Sequence, residues 1–143
     1  IFNSKGEMLL QQRAVSKYHS GGLWTNACCS HPTPGEKTEA AAARRLQEEM
    51  GFTIPVEKVF DFLYRAKFDN ELTEHEFDHV YVGTYEGEIF INEQEVMNYC
   101  YQSMTDIRQS MKLNPEKYTA WFQIAFPKIQ DWWNTQQFKT AIV

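Results

Sequence analysis

The alternation of apolar and polar residues predicts several short strands separated by loops. Residues 8–12 and 23–29 are short β-compatible runs, and residues 92–104 form another strand-like stretch further along the chain. A polar loop separates the first two runs, and a loop rich in proline and glycine follows residue 29. These runs are the first set of strands that the pattern predicts.

A longer β-hairpin is predicted over residues 59–87, where two alternating runs flank a turn near Asp69 and Asn70. Side chains alternate between the two faces of a strand. One face of the second strand therefore collects three carboxylates, those of Glu74, Glu76 and Asp78. With the turn centred on Asp69 and Asn70, Tyr64 is expected near Glu74 on the same face.

A helix is predicted over residues 38–50, which contain four consecutive alanines and are followed by Gly51 as a stop. Its apolar stripe is expected to comprise Ala42, Ala43, Leu46 and Met50. A short helix is predicted from Thr105, and a C-terminal helix carrying Trp121 is predicted to open with Asn114 as cap and Pro115 as first residue. Strands and helices in no strict alternation favour an α/β sandwich.

The length and composition are those of one globular domain, residues 1–143. Of these residues, 43% are hydrophobic and 15% are aromatic, which is enough for a packed core. A net charge of -5 argues against a nucleic-acid-binding surface. No apolar run approaches membrane-spanning length and no signal peptide opens the chain, so a cytoplasmic protein is expected. Because the chain starts within a strand-like stretch, we expect an earlier segment in the natural protein.

The chain contains three cysteines: Cys28, Cys29 and Cys100. The adjacent pair makes a poor mutual disulfide, because bridge geometry requires separated backbones. Reduced thiols fit a cytoplasmic protein. Cys100 is expected to be a buried, inert thiol.

The predicted helix and its approach, residues 30–52, carry a spaced pattern of charges. They resemble the Nudix box, G-x5-E-x7-R-E-U-x-E-E-x-G-U, in which U is a bulky aliphatic residue. The matching positions are Glu36, Arg44, Leu46, Glu48, Glu49 and Gly51, with Phe52 at the last position. This resemblance implies a Nudix-type α/β/α sandwich with a mixed sheet. Ser30 and Arg45 depart from the motif, which has a glycine and a glutamate there.

The departure at Arg45 bears on the chemistry. A Nudix hydrolase gathers helix carboxylates around divalent cations that activate water. Arg45 removes one carboxylate and adds a guanidinium on the same face as Glu49, one turn further along. Such a face can hold a diphosphate while losing a full hydrolytic metal cluster. Simple surface ion pairs are the alternative explanation, above all for Arg44 with Glu48.

Further motifs narrow the resemblance to one family. They are RAVSKYHSGGLWTNACCSHP, RRLQEEMG, YRA, EHE and the late tryptophan of YTAWF. As a set they resemble type I isopentenyl-diphosphate delta-isomerases over nearly the whole chain. The resemblance implies an enzyme of isoprenoid biosynthesis that interconverts isopentenyl diphosphate and dimethylallyl diphosphate by protonation and deprotonation through a carbocation.

The resemblance also implies roles for individual residues. Two proton-transfer residues, a supporting tyrosine and an aromatic that faces the carbocation are implied at Cys29, Glu76, Tyr64 and Trp121. The cations implied to bind the diphosphate are Arg13, Lys17 and Arg45. The implied partner is this small-molecule substrate, with no nucleic acid and no membrane, and a monomer or weak homodimer is expected.

Two metal sites are implied by the same resemblance. Mg²⁺ on the diphosphate is implied at Glu49 and the backbone carbonyl of Cys29. A second divalent metal, Zn²⁺, Mn²⁺ or Mg²⁺, is implied at His31, Glu74 and Glu76. The family's second site also uses two histidines from a segment before the first strand, so the chain is expected to be an N-terminally truncated form of a longer protein.

Alternatives remain open from the residues alone. The chain could be a Nudix pyrophosphohydrolase of a nucleoside diphosphate derivative, or a non-catalytic Nudix module that binds a diphosphate. A lone tryptophan on a helix is more often a core residue, and alternating glutamates on a strand usually form a solvated face. His19, His75 and His79 match no position of the family, and no role is assigned to them.

Overall fold

The computed structural model describes residues 1–68 and 70–141. Within them the strands are β1 (Met8–Arg13), β2 (Trp24–Asn26), β3 (Glu57–Lys67), β4 (Thr73–Val82) and β5 (Val96–Gln102). The α-helices are α1 (Thr38–Met50), α2 (Met104–Leu113) and α3 (Ala120–Ala141), and a 3₁₀ turn, Pro115–Lys117, precedes α3. The α/β class predicted from the sequence is confirmed.

The strands form two antiparallel sheets that meet at the start of the chain. In one sheet β1 lies between β2 and β5, and in the other β3 pairs with β4. Phe2 bridges Met8 in antiparallel fashion and Thr84 in parallel fashion, so that one residue links both sheets. A second isolated parallel bridge joins Trp24 to Tyr118. Among the described residues parallel pairing is limited to these isolated bridges, and the strands of both sheets pair antiparallel rather than in the predicted mixed sheet.

Strand β1 is buried on both faces and divides the core into two clusters. Leu10 packs into the larger cluster with Tyr64 and Phe122. Leu9, on the opposite face, packs into a second cluster that includes Leu46 of α1 and Val96 of β5. No helix within the described residues is long and apolar enough to span a membrane.

Helix α1 begins and ends where the sequence predicts, and Gly51 closes it in the left-handed region with φ of 76°. Its buried stripe differs from the prediction, because it consists of Ala41, Leu46, Glu49 and Met50. Ala42 and Ala43 are only half-buried. The buried positions include Glu49, whose charge excluded it from the predicted apolar stripe and whose carboxylate is bound by Arg45 and Gln11.

The predicted hairpin is present, but its register is displaced by two residues. Tyr64 lies opposite Glu76, and Ala66 lies opposite Glu74, although all these side chains keep the faces that alternation predicts. The connection between the strands, from Phe68 to Leu72, is longer than a two-residue turn, which moves the register. Asn70 belongs to this connection, whereas Asp69 lies outside the described residues.

The start of the C-terminal helix was predicted wrongly. Pro115 opens only the 3₁₀ turn, and α3 begins at Ala120. The hydroxyl of Thr119 accepts from the backbone N–H of Phe122 at 3.3 Å and donates to the hydroxyl of Thr25 at 3.0 Å. Thr119 is therefore the cap, anchored by a contact with β2 that sequence spacing does not show. Helix α2 begins at Met104, one residue before the predicted start.

Candidate active site

Nine of the ten residues singled out in the sequence line one small cavity of 160 Å³. They are Arg13, Lys17, Cys29, His31, Arg45, Glu49, Glu74, Glu76 and Trp121. A larger, neighbouring cavity of 420 Å³ shares six residues with it and is otherwise lined mainly by apolar side chains of β1, α1, β4 and α3. The shared residues are Cys29, Ser30, His31, Arg45, Glu76 and Trp121. The fold thus places a charged cavity directly beside an apolar one.

Tyr64, the tenth residue, lies beneath the charged cavity rather than on its wall. Its side chain is 1% exposed, and its hydroxyl has no hydrogen-bond partner among the described residues. The ring meets that of Trp121 edge-on, with 6.4 Å between the ring centroids. Desolvation of the hydroxyl, together with the charges of Glu74 and Glu76, raises the pKa of Tyr64 above its usual value.

The two adjacent cysteines have different surroundings. Cys28 packs against the cluster of Leu9 and Leu46. Cys29 is exposed and borders both cavities. Desolvation by the surrounding protein, followed by the charge of Asp78, raises the pKa of the Cys29 thiol well above its usual value.

The inner face of β4 carries a row of carboxylates. The Nε2 atom of His31, an exposed side chain, lies 2.6 Å from Oε1 of Glu76. Desolvation and the charge of Glu76 raise the pKa of Asp78 to about 6. The same two causes raise the pKa of Glu74. Like charges on one strand face thus make proton uptake easier than at an isolated carboxylate.

Three cations also line the charged cavity. The guanidinium of Arg13 lies over the ring of Trp121, 5.0 Å from its centroid. Lys17 forms an ion pair with Glu95. Arg45 donates to the hydroxyl of Ser30 at 2.7 Å. All three cations line the charged cavity.

Glu49 is buried, with 5% of its surface exposed, and both of its oxygens are engaged. Arg45 donates to Oε1 at 2.8 Å, and Gln11 donates to Oε2 at 3.0 Å. Gln11 also donates to the carbonyl of Ala27 at 2.5 Å, which ties the carboxylate to the chain leading into the cysteines. The buried carboxylate is therefore held between an arginine and an amide.

Sequence reasoning missed two residues of this site. His19 lies with its Nε2 atom 2.7 Å from Oε1 of Glu74. Glu95, at the entrance to β5, bridges Lys17 and Arg45, and its contact with Arg45 measures 3.5 Å. Both residues come from loops far apart in the sequence, and no periodicity or spacing marks them. Only the presence of His19 in the motif KYHSGG hinted at its position.

The donor set of the predicted second metal site consists of one imidazole and two carboxylates, which suits a divalent cation. All three donors line the charged cavity, and the crowded carboxylates beside them favour a positive charge. Within residues 1–68 and 70–141, however, no three His, Cys, Asp or Glu side chains are arranged to hold a metal ion. The three donors are therefore of types that bind divalent metals. In this structure, however, His31 and Glu76 contact each other instead.

Comparison with known proteins agrees with these features. The family model for the NUDIX domain matches residues 1–122. The chain is 54% identical to an isopentenyl-diphosphate Delta-isomerase of Pectobacterium atrosepticum over 140 residues, which covers 98% of this chain and 77% of that protein. It is 46% identical to isopentenyl-diphosphate Delta-isomerase 2 of Photorhabdus laumondii, covering 92% of this chain and 77% of that protein.

Solved structures agree on the fold. A MutT protein from Methanosarcina mazei superposes with a TM-score of 0.72 at 22% identity, covering 91% of this chain and 87% of that one. This likeness confirms the Nudix-type α/β fold that the box of residues 30–52 predicts. Taken with the identities to curated relatives, it shows that the chain belongs to the isopentenyl-diphosphate Delta-isomerase family, whose members share the NUDIX domain.

Proposed function

We propose that the chain interconverts isopentenyl diphosphate and dimethylallyl diphosphate, with Cys29 and Glu76 as the two proton-transfer residues. The observation that carries the proposal is the single small cavity that both residues share with three cations and Trp121. An enzyme for this substrate has to hold a doubly charged headgroup and an apolar five-carbon chain. The charged cavity suits the first part, and the adjoining apolar cavity suits the second.

The diphosphate is held by Arg13, Lys17 and Arg45. In the absence of substrate these cations contact protein groups, such as Glu95 beside Lys17 and Glu49 beside Arg45. Arginine matches a phosphate with two parallel N–H donors, whereas lysine acts as a point charge. The diphosphate anchors the substrate and is not cleaved, because the reaction changes only the carbon chain.

The reaction moves one proton onto the substrate and takes another off. A proton added to the terminal methylene carbon converts the C=C π bond into a C–H bond and leaves a tertiary cation. Loss of a proton from the carbon on the side of the diphosphate returns the electron pair to a new C=C bond. Cys29 and Glu76 act as the proton donor and acceptor pair, since both side chains line the same cavity beside Trp121.

Aromatic side chains protect the intermediate. A tertiary cation is stabilised by the face of an aromatic ring, and the ring of Trp121 borders both cavities. Arg13 covers one face of this ring, so the substrate cation takes the other face. Tyr64, packed edge-on against Trp121, turns a buried hydroxyl toward the glutamates of β4 and supports the proton transfer.

Divalent metals complete the proposal. Glu49, with the carbonyl of Cys29, would hold Mg²⁺ on the diphosphate, and His31, Glu74 and Glu76 would hold a second divalent cation. A cation bound there would neutralise the carboxylate row and stabilise the ionised form of Glu76. The residues of this chain then orient the substrate and exclude water from the cation.

A hydrolytic reaction on the same diphosphate is the competing function. Nudix hydrolysis gathers several helix carboxylates around metal ions, whereas Arg45 stands where the Nudix box has a further glutamate, and its guanidinium donates to Glu48 and Glu49 at 2.5 and 2.8 Å. The guanidinium therefore occupies the position from which a further carboxylate would bind metal. This arrangement favours an intact diphosphate.

The decisive experiment incubates the protein with isopentenyl diphosphate and Mg²⁺ in D₂O and follows the products by NMR. We expect dimethylallyl diphosphate that carries deuterium in a methyl group, with no release of phosphate. Release of inorganic phosphate or pyrophosphate without allylic product would assign the chain to hydrolysis. Substrate binding with no deuterium uptake would assign it to a non-catalytic diphosphate-binding module.

A further inference from the structure

His19 lies in the loop between β1 and β2, and its side chain is only 6% exposed. Its two ring nitrogens have different neighbours. Nδ1 lies 3.1 Å from the hydroxyl of Ser20, and Nε2 lies 2.7 Å from a carboxylate oxygen of Glu74 on β4. The imidazole is thus enclosed, with a polar contact at each nitrogen.

Aromatic packing fixes the plane of the His19 ring. The ring stacks on Phe68 with 4.5 Å between centroids and 15° between planes. It also meets Trp121 edge-on, at 5.9 Å and 86°. The backbone carbonyl of His19 accepts from Arg13, whose guanidinium covers Trp121. His19 therefore contacts an aromatic side chain, a carboxylate and a cation that line the charged cavity, those of Trp121, Glu74 and Arg13.

The loop that carries His19 is also attached to the end of the hairpin. The side-chain amide of Asn70 donates to the carbonyl of Tyr18 at 3.2 Å. The ring of Tyr18 packs edge-on against that of His19, with 4.5 Å between centroids. These contacts hold the loop against β3 and β4, so that the imidazole keeps a constant position relative to Glu74.

We propose that His19 is a positioning residue of the isomerase reaction, which holds the carboxylate of Glu74 in place within the cavity. The proposal rests on the proposed function of the same site. Glu74 shares this face of β4 with Glu76 and Asp78, and before a cation binds, repulsion between these carboxylates would turn its side chain away from the row. The imidazole is the neighbour within the described residues that opposes this movement from the loop side.

Two substitutions separate the polar contact from the packing. His19→Phe keeps an aromatic ring against Phe68 and Trp121 but removes both nitrogens. His19→Gln keeps a polar donor within reach of Glu74 but removes the ring. Because a contact to a charged group contributes about 1.5–3 kcal/mol, His19→Phe is expected to lower kcat about 10- to 100-fold. The KM for isopentenyl diphosphate should change less than about twofold, since the diphosphate cations are untouched. His19→Gln should retain most of the kcat.

His75→Phe is the matched control. His75 is an exposed histidine on the same strand as Glu74, and its side chain faces away from the carboxylate row. Kinetic constants of His75→Phe should equal those of the unaltered chain. Thermal melts of all variants monitor folding, and His19→Leu replaces His19→Phe if the latter does not fold.

A double substitution tests the route through Glu74. If His19 acts by holding this carboxylate, His19→Phe combined with Glu74→Gln should be no slower than Glu74→Gln alone. An unchanged kcat in His19→Phe, an equal loss in His19→Phe and His19→Gln, a rise in KM alone, or fully additive losses in the double variant would each overturn the proposal. Absence of isomerase activity in the unaltered chain would instead refute the proposed function.

Discussion

Helix α1 and hairpin strand β4 both present charged groups to the cavity, but they compensate charge in opposite ways. On α1 each guanidinium is bound by carboxylates. Arg44 donates twice to Glu36, at 2.8 Å in both bonds, and Arg45 donates to Glu49 at 2.8 Å. The Arg44 guanidinium lowers the pKa of Glu36 to about 2. The helix thus holds its charges in fixed, ionised pairs.

On β4 the carboxylates of Glu74, Glu76 and Asp78 face one another without such compensation. Among the described residues their ion-pair contacts within 4 Å are to His19 and His31, not to arginine or lysine. Desolvation and repulsion raise the pKa values of Glu74 and Asp78. The strand therefore keeps groups that bind a cation or a proton readily.

This contrast suggests that α1 and β4 have different functions in the site. Compensated cations on the helix side can exchange protein carboxylates for a substrate diphosphate without changing protonation. Uncompensated carboxylates on the strand side are suited to proton transfer and to binding a cation. Substitutions of the proton-transfer pair, Cys29 in the loop before α1 and Glu76 on β4, should therefore affect kcat, and substitutions on the helix side should affect KM.

The largest effect is expected from Cys29→Ala. Loss of a general acid or base typically lowers the rate about 10²- to 10⁴-fold, and kcat should fall by that amount with little change in KM. The measurement is the rate of dimethylallyl diphosphate formation at saturating substrate.

Cys28→Ala is the control for this prediction. Cys28 packs against Leu9 and Leu46, so its truncation should lower stability modestly and leave kcat within a few-fold of the unaltered chain. Equal losses of activity in the two cysteine variants would contradict the assignment of Cys29 as a proton-transfer residue.

Arg45→Met tests the helix side. A charge-assisted hydrogen bond to a phosphate is worth about 1.5–3 kcal/mol, so KM for isopentenyl diphosphate should rise about 10- to 100-fold. The inhibition constant of inorganic pyrophosphate should rise in parallel, because it probes the same cations without the carbon chain. The kcat should change far less.

Arg44→Met is the neighbouring control on α1. Arg44 binds Glu36 and Glu48 and does not line the charged cavity, so its loss should leave KM and the pyrophosphate inhibition constant unchanged. A fall in kcat without a rise in KM for Arg45→Met would show that the helix side takes part in the chemistry, and the proposed division would be wrong.

Local features of the chain could be predicted from the sequence with good accuracy. Helix α1 and its stop at Gly51 depend on helix propensity and on a glycine in the left-handed region, both of which are properties of neighbouring residues. The carboxylate row of β4 follows from the twofold alternation of a strand. The matching spacing of the motifs then predicted which side chains would share a cavity.

Features set by contacts between distant residues could not be predicted. The cap of α3 is Thr119 rather than Asn114, because its hydroxyl reaches Thr25 on β2. Likewise His19 and Glu95 enter the site from loops that fold across β1, β4 and α1. Sequence spacing does not predict such contacts, because each of them depends on how the two sheets pack together.

The smallest expected effect is on the melting temperature, in the variant Glu36→Gln just before α1. Its pKa is about 2 in the folded chain against an ordinary 4.5, because Arg44 and the backbone N–H of Thr33 favour the ionised form. A depressed pKa stabilises the fold above pH 4.5, and this contribution disappears as the pH falls from 4.5 to about 2. Glu36→Gln should therefore lower the melting temperature slightly at pH 6 and leave it unchanged near pH 2. Thermal melts across this range measure the difference, with Glu39→Gln, outside these ion pairs, as control. A difference between Glu36→Gln and the unaltered chain that persists at pH 2 would mean that packing, not the ion pair with Arg44, is what Glu36 contributes to α1.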